Sequence, residues 1–283
     1  MGEQRNTELG DFLRARRAEL TPEQTGVATY GTARRVPGLR REEVAQLAGL
    51  SVNYYTRIEQ GEGHQMSGQV MEAIAAALKL DASERVHLLR LAWPPPVIRP
   101  DNSPEVIRAS VLALARSNAE QAVVIVGRHM DLLGANTLGY ALYGVEPGEH
   151  ANLTKRMFLD PRMRDLVVGW EQHAHAAAGY LRTATSERPD DPELAELVGE
   201  LSINSPEFAR IWATHPVAEC SYSVREFDHP LVGRMTLNEE GLRLPDDPGQ
   251  RMLFHGAEPG SESERRLRLL ASLVARSADE NEA

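Results

Sequence analysis

A chain of 283 residues is long enough for about two domains, since globular domains usually hold roughly 100–200 residues. Its 42% hydrophobic and 25% charged residues are typical of a globular protein, and no run of about 18 apolar residues that could cross a membrane is present. A single cysteine, Cys220, excludes an intramolecular disulfide and a cysteine zinc site. The opening residues lack the pattern of a signal peptide, so we expect a cytoplasmic protein with no membrane partner.

The net charge of −10 is not spread evenly along the chain. Residues 1–95 hold equal numbers of basic and acidic side chains, so the whole net negative charge lies in the remainder. Within the first part, arginines cluster around one short segment, and a local basic patch of this kind is typical of phosphate binding. These arginines are Arg34, Arg35, Arg40, Arg41 and Arg57.

The first part is predicted to be helical. A long loop is expected over 21–39, which has three glycines, two prolines and no helical stripe. The prolines of AWPPPVIRPDNSP then favour extended geometry and predict a linker between two domains. We therefore expect a first domain over 1–93, a Pro-rich linker over 94–104 and a second domain over 105–283. Five helices are predicted in the first domain, at 8–20, 41–48, 52–60, 67–79 and 83–92.

The stretch REEVAQLAGLSVNYYTRIEQGEG predicts two helices joined by a tight turn. In the first helix, Val44, Leu47 and Ala48 form the predicted apolar side. Gly49 permits a left-handed turn, and Ser51 can cap the second helix by accepting from its first amides. This arrangement is a helix-turn-helix, and a plain helical hairpin is the alternative that spacing alone leaves open.

The second helix of this motif has two chemically different sides. At 100° per residue, Tyr55, Ile58 and Glu59 share the side predicted to be buried. On the open side, Asn53 can make a paired contact to adenine, and Arg57 can reach guanine or a phosphate. The predicted DNA-binding residues, with Arg40 and Arg41 placed to meet phosphates, are Arg40, Arg41, Ser51, Val52, Asn53, Tyr54, Thr56, Arg57 and Gln60.

The GLS turn and the R-I-E-x-G ending at Gly61 resemble the helix-turn-helix family that includes the phage repressors and Cro. In that family the glutamate of the ending pairs with an arginine of the first helix. The resemblance therefore implies an ion pair between Glu59 and Arg17, and it would explain why a carboxylate lies on the buried side.

The second part of the chain mixes helical and strand-like patterns. The stretch QAVVIVGRHMDLLGAN suits a hairpin, and the run after THPV becomes strand-like. We therefore expect an α+β domain with a small antiparallel sheet. Helices are predicted at 105–118, 137–144, 152–183 with a break at Asp160-Pro161, 191–203, 205–213 and 261–276, and strands at 219–227, 232–237 and 251–257 with a turn at Asn238–Gly241.

The sequences VPGLRREEVAQLAGLSVNYYTRIEQG, FLDPRMRDLVVGW, SPEFARIWATHPV and HPLVGRMTLNEEGLRLPDDPGQRMLFHGAEPGS resemble the actinobacterial MmyB-like transcription regulators, and the likeness covers nearly all the chain. The resemblance implies an all-α helix-turn-helix domain followed by an α+β, PAS-like ligand-binding domain. It also implies a long-chain fatty acid as the kind of ligand that such a domain binds, and short-chain dehydrogenase genes as regulated targets.

A regulator with about 180 residues beyond its DNA reader is expected to bind a signal that shifts operator occupancy. We expect a small, largely apolar ligand in a pocket with few polar anchors. Each aromatic residue among the candidates listed below could equally belong to the ordinary hydrophobic core. Family members commonly have a Trp-Asn pair where this chain has Ala135-Asn136, which predicts either a larger pocket or a space that other side chains fill. The candidate ligand-binding residues are Asn136, Tyr140, Tyr143, Phe158, Arg162, Trp170, Arg182, Trp212 and His215.

Signals for other chemistries are weak. His173 and His175 are two residues apart and would point about 200° apart on a helix, so we predict no metal site. No nucleophile elbow or phosphate-binding loop occurs, so we expect no enzyme and no required cofactor. Cys220 in a strand-like run is either a buried, inert thiol or a redox sensor.

The sequence predicts a DNA-binding transcriptional regulator that acts as a homodimer on a pseudo-palindromic operator in double-stranded DNA. It would be associated with the nucleoid when bound to DNA. Two alternatives stay open: a constitutive regulator whose second domain serves only dimerisation, and an enzyme that transforms its ligand.

Overall fold

The structure of the chain is a computed structural model that describes residues 7–27, 38–62, 66–93, 105–218, 222–247 and 249–282. Arg34, Arg35, the predicted linker 94–104 and Cys220 lie outside these residues. Within the described ranges, an all-helical domain precedes an α+β domain with a five-stranded antiparallel sheet. The predicted succession of fold classes is therefore confirmed.

The first domain contains the five predicted helices, with bounds that agree to within two residues. A short additional helix lies in the segment predicted to be a loop, and it begins at Pro22, where the fixed φ of proline suits the first position of a helix. The helices are α1 (Thr7–Glu19), α2 (Pro22–Thr25), α3 (Arg41–Leu47), α4 (Val52–Glu59), α5 (Gly68–Ala77) and α6 (Ala82–Ala92).

Val44 and Ala45 of α3, and Ala48 at its C-terminal cap, belong to the core of this domain. Leu47 was predicted to belong to the same apolar side, but it is 38% exposed and that prediction is wrong. At 100° per residue, Ala45 and Ala48 lie on one flank of Val44 and Leu47 lies on the other. The small alanines thus face the neighbouring helices and allow close packing.

A tight turn connects α3 to α4. Gly49 has φ +66°, a left-handed conformation that glycine adopts without steric cost. The Leu50 amide donates to the Ala45 carbonyl at 2.9 Å, and the Tyr54 amide donates to Ser51 Oγ at 3.2 Å. Ser51 therefore caps the helix that follows, and this cap fixes where α4 begins.

The second domain alternates helices and strands. The region predicted as one helix broken at Pro161 is three helices, because a second break occurs at Gly169, which has φ +69°. None of the described helices is long and apolar enough to cross a membrane. The elements are α7 (Ala109–Ser117), β1 (Ala122–Val126), β2 (Leu132–Ala135), α8 (Thr137–Tyr143), α9 (Leu153–Leu159), α10 (Arg162–Leu166), α11 (Trp170–Glu187), α12 (Pro192–Asn204), α13 (Pro206–Trp212), β3 (Tyr222–His229), β4 (Gly233–Arg243), β5 (Arg251–Gly256) and α14 (Glu262–Glu282).

The sheet has the strand order β2-β1-β5-β4-β3, and neighbouring strands are antiparallel. Successive side chains of a strand point to opposite faces, so each strand serves two layers. Val124 and Leu253 join the main core with α8 to α13, whereas Val123, Ile125 and Met252 pack with residues of α7 on the other face. Both faces of β1 are therefore buried.

The turn predicted at Asn238–Gly241 is wrong, because β4 runs through it to Arg243. Its polar residues suggested a turn, but Glu239 points inward and pairs with Ser223 on β3 and His255 on β5. Ion pairing with Arg225, at 2.9 Å, stabilises the carboxylate in that buried position. The connection between β4 and β5 lies after Arg243 instead.

Candidate DNA-reading surface and ligand cavity

The exposed side of α4, which we call the DNA-reading surface, is formed by Val52, Asn53, Thr56, Arg57 and Gln60. Four of these side chains are exposed and Thr56 is half-buried, while Tyr55, Ile58 and Glu59 on the opposite side are buried. The helix therefore has the two sides that its sequence predicts. Tyr54, also predicted to bind DNA, is half-buried at the edge of this surface.

Glu59 is 0% exposed and is held by two arginines. Arg17 Nη2 of α1 lies 2.7 Å from Glu59 Oε1, and Arg41 Nε of α3 lies 2.8 Å from Glu59 Oε2. Arg14 Nη1 donates to the Glu59 backbone carbonyl at 3.0 Å. Burial, followed by the charge of Glu59, raises the pKa of the neighbouring Tyr55 phenol. The carboxylate thus ties α4 to α1 and α3 and fixes the orientation of the DNA-reading surface.

The predicted phosphate-binding arginines differ in how free they are. Arg41 uses its Nε for Glu59, yet 41% of its side chain remains exposed. Arg40 precedes α3 and its backbone amide donates to the Glu43 carboxylate at 2.6 Å. Arg57 is 67% exposed, and its Nε lies 3.7 Å from the Glu62 carboxylate, so this ion pair is weak. The guanidinium of Arg57 can therefore leave Glu62 for a base or a phosphate.

The second domain has a cavity of about 600 Å³ where the end of α8, helices α9 and α10, and the turn after β3 meet. Leu142, Met163 and Leu166 give it an apolar wall, and arginine and aspartate side chains surround it. We call it the α10 cavity, and it is lined by Leu142, Tyr143, Gly144, Arg156, Arg162, Met163, Asp165, Leu166, Asp228, His229 and Pro230.

Two of the predicted ligand-binding residues, Tyr143 and Arg162, line the α10 cavity. Arg162 is 74% exposed and pairs with Asp160 at 2.8 Å. This pairing lowers the pKa of the Asp160 carboxyl and raises that of Arg162. Tyr140 instead lines a separate groove between α8 and α14. The structure therefore does not bring Tyr140 together with the other two.

Asn136 lies away from both cavities. Its Oδ1 accepts from the amides of Val123 and Gly139, and its Nδ2 donates to the carbonyls of Asn118 and Gln121. These four hydrogen bonds use the whole capacity of the amide group. Asn136 thus joins β1 to the start of α8, and its role in this structure is to hold those elements.

The predicted aromatic walls form a packed cluster. The ring centroids of Phe158 and Trp170 are 5.9 Å apart, those of Phe158 and Phe208 are 5.0 Å apart, and Phe208 stacks on Trp212 at 5.3 Å. Trp170 Nε1 donates to the Met157 carbonyl at 2.9 Å. Phe158, Trp170 and Trp212 therefore lie in a core behind α10, because aromatic rings at these separations fill the space between helices.

Arg182 and His215 lie at the boundary with the first domain. The Arg182 guanidinium sits over the Trp212 ring, 3.6 Å from its centroid, and donates to the Trp212 carbonyl at 2.6 Å. Burial lowers the pKa of Arg182 to about 10, and burial with the nearby Arg182 charge lowers the pKa of His215 to about 4. Neither residue lines the α10 cavity.

A buried polar cluster was missed at the sequence level. His255 Nε2 lies 3.1 Å from Tyr143 Oη, and His255 Nδ1 lies 3.7 Å from the Glu239 carboxylate. Burial lowers the pKa of His255 to about 4, so the imidazole is neutral near pH 7. The signal was present as inward positions on β4 and β5, but the turn predicted over Glu239 concealed it. Tyr143 links this cluster to the α10 cavity.

No group of three or more His, Cys, Asp or Glu side chains able to hold a metal occurs among the residues that the structure describes. The two ring nitrogens of His129 lie 3.0 Å from Asp191 and 3.1 Å from Glu193. These contacts tie the turn after β1 to the start of α12.

Comparison with known proteins agrees with this division into two sites. Residues 8–88 match a helix-turn-helix domain, and residues 107–270 match the MmyB-like transcription regulator ligand binding domain. No curated protein matches the chain. The protein is therefore a transcription regulator that joins a DNA-binding domain to a ligand-binding domain. Because the second match covers more than half of the chain, the protein belongs to the MmyB-like transcription regulators. Neither matching description names a catalytic activity.

Proposed function

We propose that the protein is a sequence-specific transcriptional regulator whose PAS-like second domain binds a fatty-acid-like ligand and thereby changes operator binding. The observation that carries this proposal is the α10 cavity, whose volume of about 600 Å³ lies within the roughly 300–1,000 Å³ of small-molecule sites. Its apolar wall suits an acyl chain, and Arg156 and Arg162, which line it beside Asp165 and Asp228, supply cations for an anionic end.

The polar end of such a ligand would meet Arg162. This side chain is exposed. In the part of the chain that the structure describes, the ion-pair partner of its guanidinium is Asp160. A planar guanidinium binds a carboxylate through two parallel hydrogen bonds, which a point charge cannot reproduce. The acyl chain would then lie along Leu142, Met163 and Leu166.

The test is mass spectrometry of small molecules released on denaturing the purified full-length chain. We expect a carboxylic acid in near-stoichiometric amount from the wild-type protein and a strongly reduced amount from Arg162→Glu. Arg210→Glu is the matched control, since Arg210 is also an exposed arginine of the second domain but does not line the cavity.

Release of no compound by any of these chains would contradict the ligand proposal. The alternative would then be a constitutive DNA-binding regulator whose second domain serves only dimerisation. An apolar compound retained equally by Arg162→Glu would keep a ligand but reject Arg162 as its anchor.

The proposal includes a homodimer on a pseudo-palindromic operator. One DNA-reading surface is a single short helix, and helix-turn-helix proteins gain specificity by pairing two half-sites about 34–36 Å apart. Sedimentation of the operator complex together with footprinting tests this part. A single protected half-site with one bound chain would exclude it.

A further inference from the structure

Residues 213–218, which we call the connector, leave the end of α13 and run between the two domains. A Cβ added to Gly179 of α11 would lie only 2.8 Å from the Ala218 amide nitrogen, so the connector passes directly over that helix. Thr183 Oγ1 donates to the Ala218 carbonyl at 3.1 Å. On its other side, Val217 packs against the hydrophobic core of the first domain. The connector therefore contacts both domains within a few residues.

The strongest polar contact of the connector is made by Arg16 of α1. Its Nη2 donates to the Thr214 carbonyl at 2.7 Å and to the His215 carbonyl at 3.0 Å, and its Nη1 lies 2.7 Å from the Glu84 carboxylate. Only 11% of the Arg16 side chain is exposed. A buried guanidinium that loses such acceptors is costly, so the position of α1 is tied to the position of the connector.

Both ends of the connector lead to the α10 cavity. Before it, Trp212 stacks on Phe208, which contacts Phe158 behind α10. Arg164, on α10 between the cavity residues Met163 and Leu166, sits over the Trp170 ring of the same cluster, 4.1 Å from its centroid. After the connector, β3 carries Asp228 and His229, which line the cavity directly. A change in the cavity wall can therefore reach the connector through side chains that pack against one another.

On the DNA side, the residue next to Arg16 holds the recognition helix. Arg17 pairs with the buried Glu59 at 2.7 Å, and Glu59 orients the DNA-reading surface of α4. Two successive residues of α1 thus reach the connector and α4. Because α1 is a rigid helix between them, a shift of the connector carries over to the angle of α4.

We propose that Arg16 is a positioning residue for DNA binding, through which the connector couples the state of the ligand-binding domain to the DNA-reading surface. This inference rests on the proposed ligand-dependent function for its physiological use. The contact between Arg16 and the connector can be tested without a ligand. By thermodynamic linkage, the same contact makes operator DNA change ligand affinity by the same factor as ligand changes operator affinity.

The first arm of the test is a double-mutant cycle on operator affinity, with the full-length chain and no added ligand. The variants are Arg16→Gln in the first domain, Trp212→Leu in the second, and both together. We expect Trp212→Leu to change the operator Kd by about fivefold or more, and to have almost no effect in the Arg16→Gln background. Arg182→Lys serves as the second-domain variant if Trp212→Leu does not fold.

Independent sites add to within about twofold in Kd, so additive effects would overturn the proposal. So would a Trp212→Leu chain that binds the operator as the wild type does. Arg85→Gln is the matched control: Arg85 pairs with Glu72 inside the first domain, and its loss should leave the Trp212→Leu effect intact. Arg16→Lys should restore part of the coupling, since an ammonium can still donate to the two connector carbonyls.

The second arm uses palmitate as the probe. Operator Kd is measured with and without palmitate for the wild type, Arg16→Gln and Arg85→Gln. We expect Arg16→Gln to bring the palmitate effect to within about twofold of none while palmitate affinity for the DNA-free chain persists. An undiminished palmitate effect in Arg16→Gln would overturn the proposal. If palmitate does not change the operator Kd of the wild type, the fatty-acid ligand is rejected instead. The double-mutant cycle then decides whether Arg16 couples the two domains.

Discussion

Among the residues that the structure describes, each of the two domains buries one glutamate, and the two glutamates are held in different ways. Glu59 is 0% exposed between Arg17 and Arg41, and Glu239 is 1% exposed between Arg225 and His255. The partners of Glu59 are permanently charged, whereas one partner of Glu239 is a neutral imidazole near pH 7.

This difference has consequences for both sites. The Glu59 cluster joins α1, α3 and α4 through two direct ion pairs, so it holds the DNA-reading surface rigidly. The Glu239 cluster joins three strands and reaches the α10 cavity through Tyr143. Burial raises the pKa of the Glu239 carboxyl, but the Arg225 charge and the hydrogen bonds from Ser223 and Arg225 outweigh this, and the net pKa is lowered. Of the two clusters, the one in the ligand-binding domain is therefore the one that includes an imidazole and borders the proposed ligand site.

The largest effect is expected from Arg17→Ala. This substitution leaves a fully buried carboxylate with one ion-pair partner, and breaking a buried pair in this way costs about 3–5 kcal/mol. We expect a correspondingly lower urea midpoint for the first domain. Arg85→Ala is the control, since its partner Glu72 is exposed and such pairs contribute about 1 kcal/mol or less. Equal midpoints for the two variants would show that Arg41 alone sustains Glu59.

The second largest effect is a pH dependence that belongs to the Glu239 cluster. His255 has a pKa of about 4 in the folded chain against an ordinary value of 6.5, so only the unfolded chain binds this proton between those values. Stability contributed by His255 is complete above pH 6.5 and is lost as the pH falls towards 4. The loss amounts to about 3 kcal/mol, at about 1.4 kcal/mol per pH unit.

Urea unfolding at pH 7.5 and pH 4.5 measures this loss. His87 and His215, whose pKa values are also lowered to about 4 by burial, add to the slope of the wild type. The informative quantity is therefore the difference between wild type and His255→Asn, which should unfold with a shallower pH dependence by one proton. Parallel curves for the two chains would mean that His255 is not buried in its neutral form.

The two clusters also differ in how far they could be predicted from the sequence. The Arg17–Glu59 pair was implied by a short motif in which Ser51, Gly49 and Glu59 stand at fixed spacing along two helices. The positions of Arg225, Glu239 and His255 depend on strand register, which is set by pairing between distant segments. Because Asn238–Gly241 was predicted to be a turn, Glu239 was not predicted to point inward, and the cluster was missed.

The ligand site was harder to predict for a related reason. Phe158, Trp170 and Trp212 were candidates because apolar walls and apolar cores have the same composition, and only packing separates them. Tyr143 and Arg162 come together at the cavity through the placement of α8 against α10, which no local pattern encodes. The bounds of the five helices predicted in the first domain, by contrast, follow from periodicity and caps and were predicted to within two residues.

A third prediction concerns specificity rather than stability. Because Glu59 and its arginines lie on the buried side of α4, Asn53→Ala removes an exposed side chain without disturbing them. We expect a loss of about 1–3 kcal/mol in operator binding, with relaxed preference at one base pair and an unchanged urea midpoint. Binding assays on operators carrying each base at every position measure this. An unaltered base preference would mean that another part of the chain reads the DNA.

The smallest effect tests whether Arg41 serves the Glu59 cluster and the DNA at once. Its Nε pairs with the Glu59 carboxylate, and 41% of its side chain remains exposed. Arg41→Ala should therefore lower affinity for all DNA sequences alike and reduce the slope of log affinity against log salt by about 1. It should reduce the free energy of unfolding by only about 1 kcal/mol, because Arg17 still pairs with the carboxylate.

Arg40→Ala is the matched comparison, because Arg40 precedes the same helix and has no contact with Glu59 among the residues described. It should reduce the salt slope in the same way and leave the urea midpoint unchanged. If Arg41→Ala lowers the midpoint but not the salt slope, Arg41 supports the recognition helix without meeting a phosphate. The Glu59 cluster would then be wholly structural, and the electrostatic part of DNA binding would rest on Arg40 and Arg57.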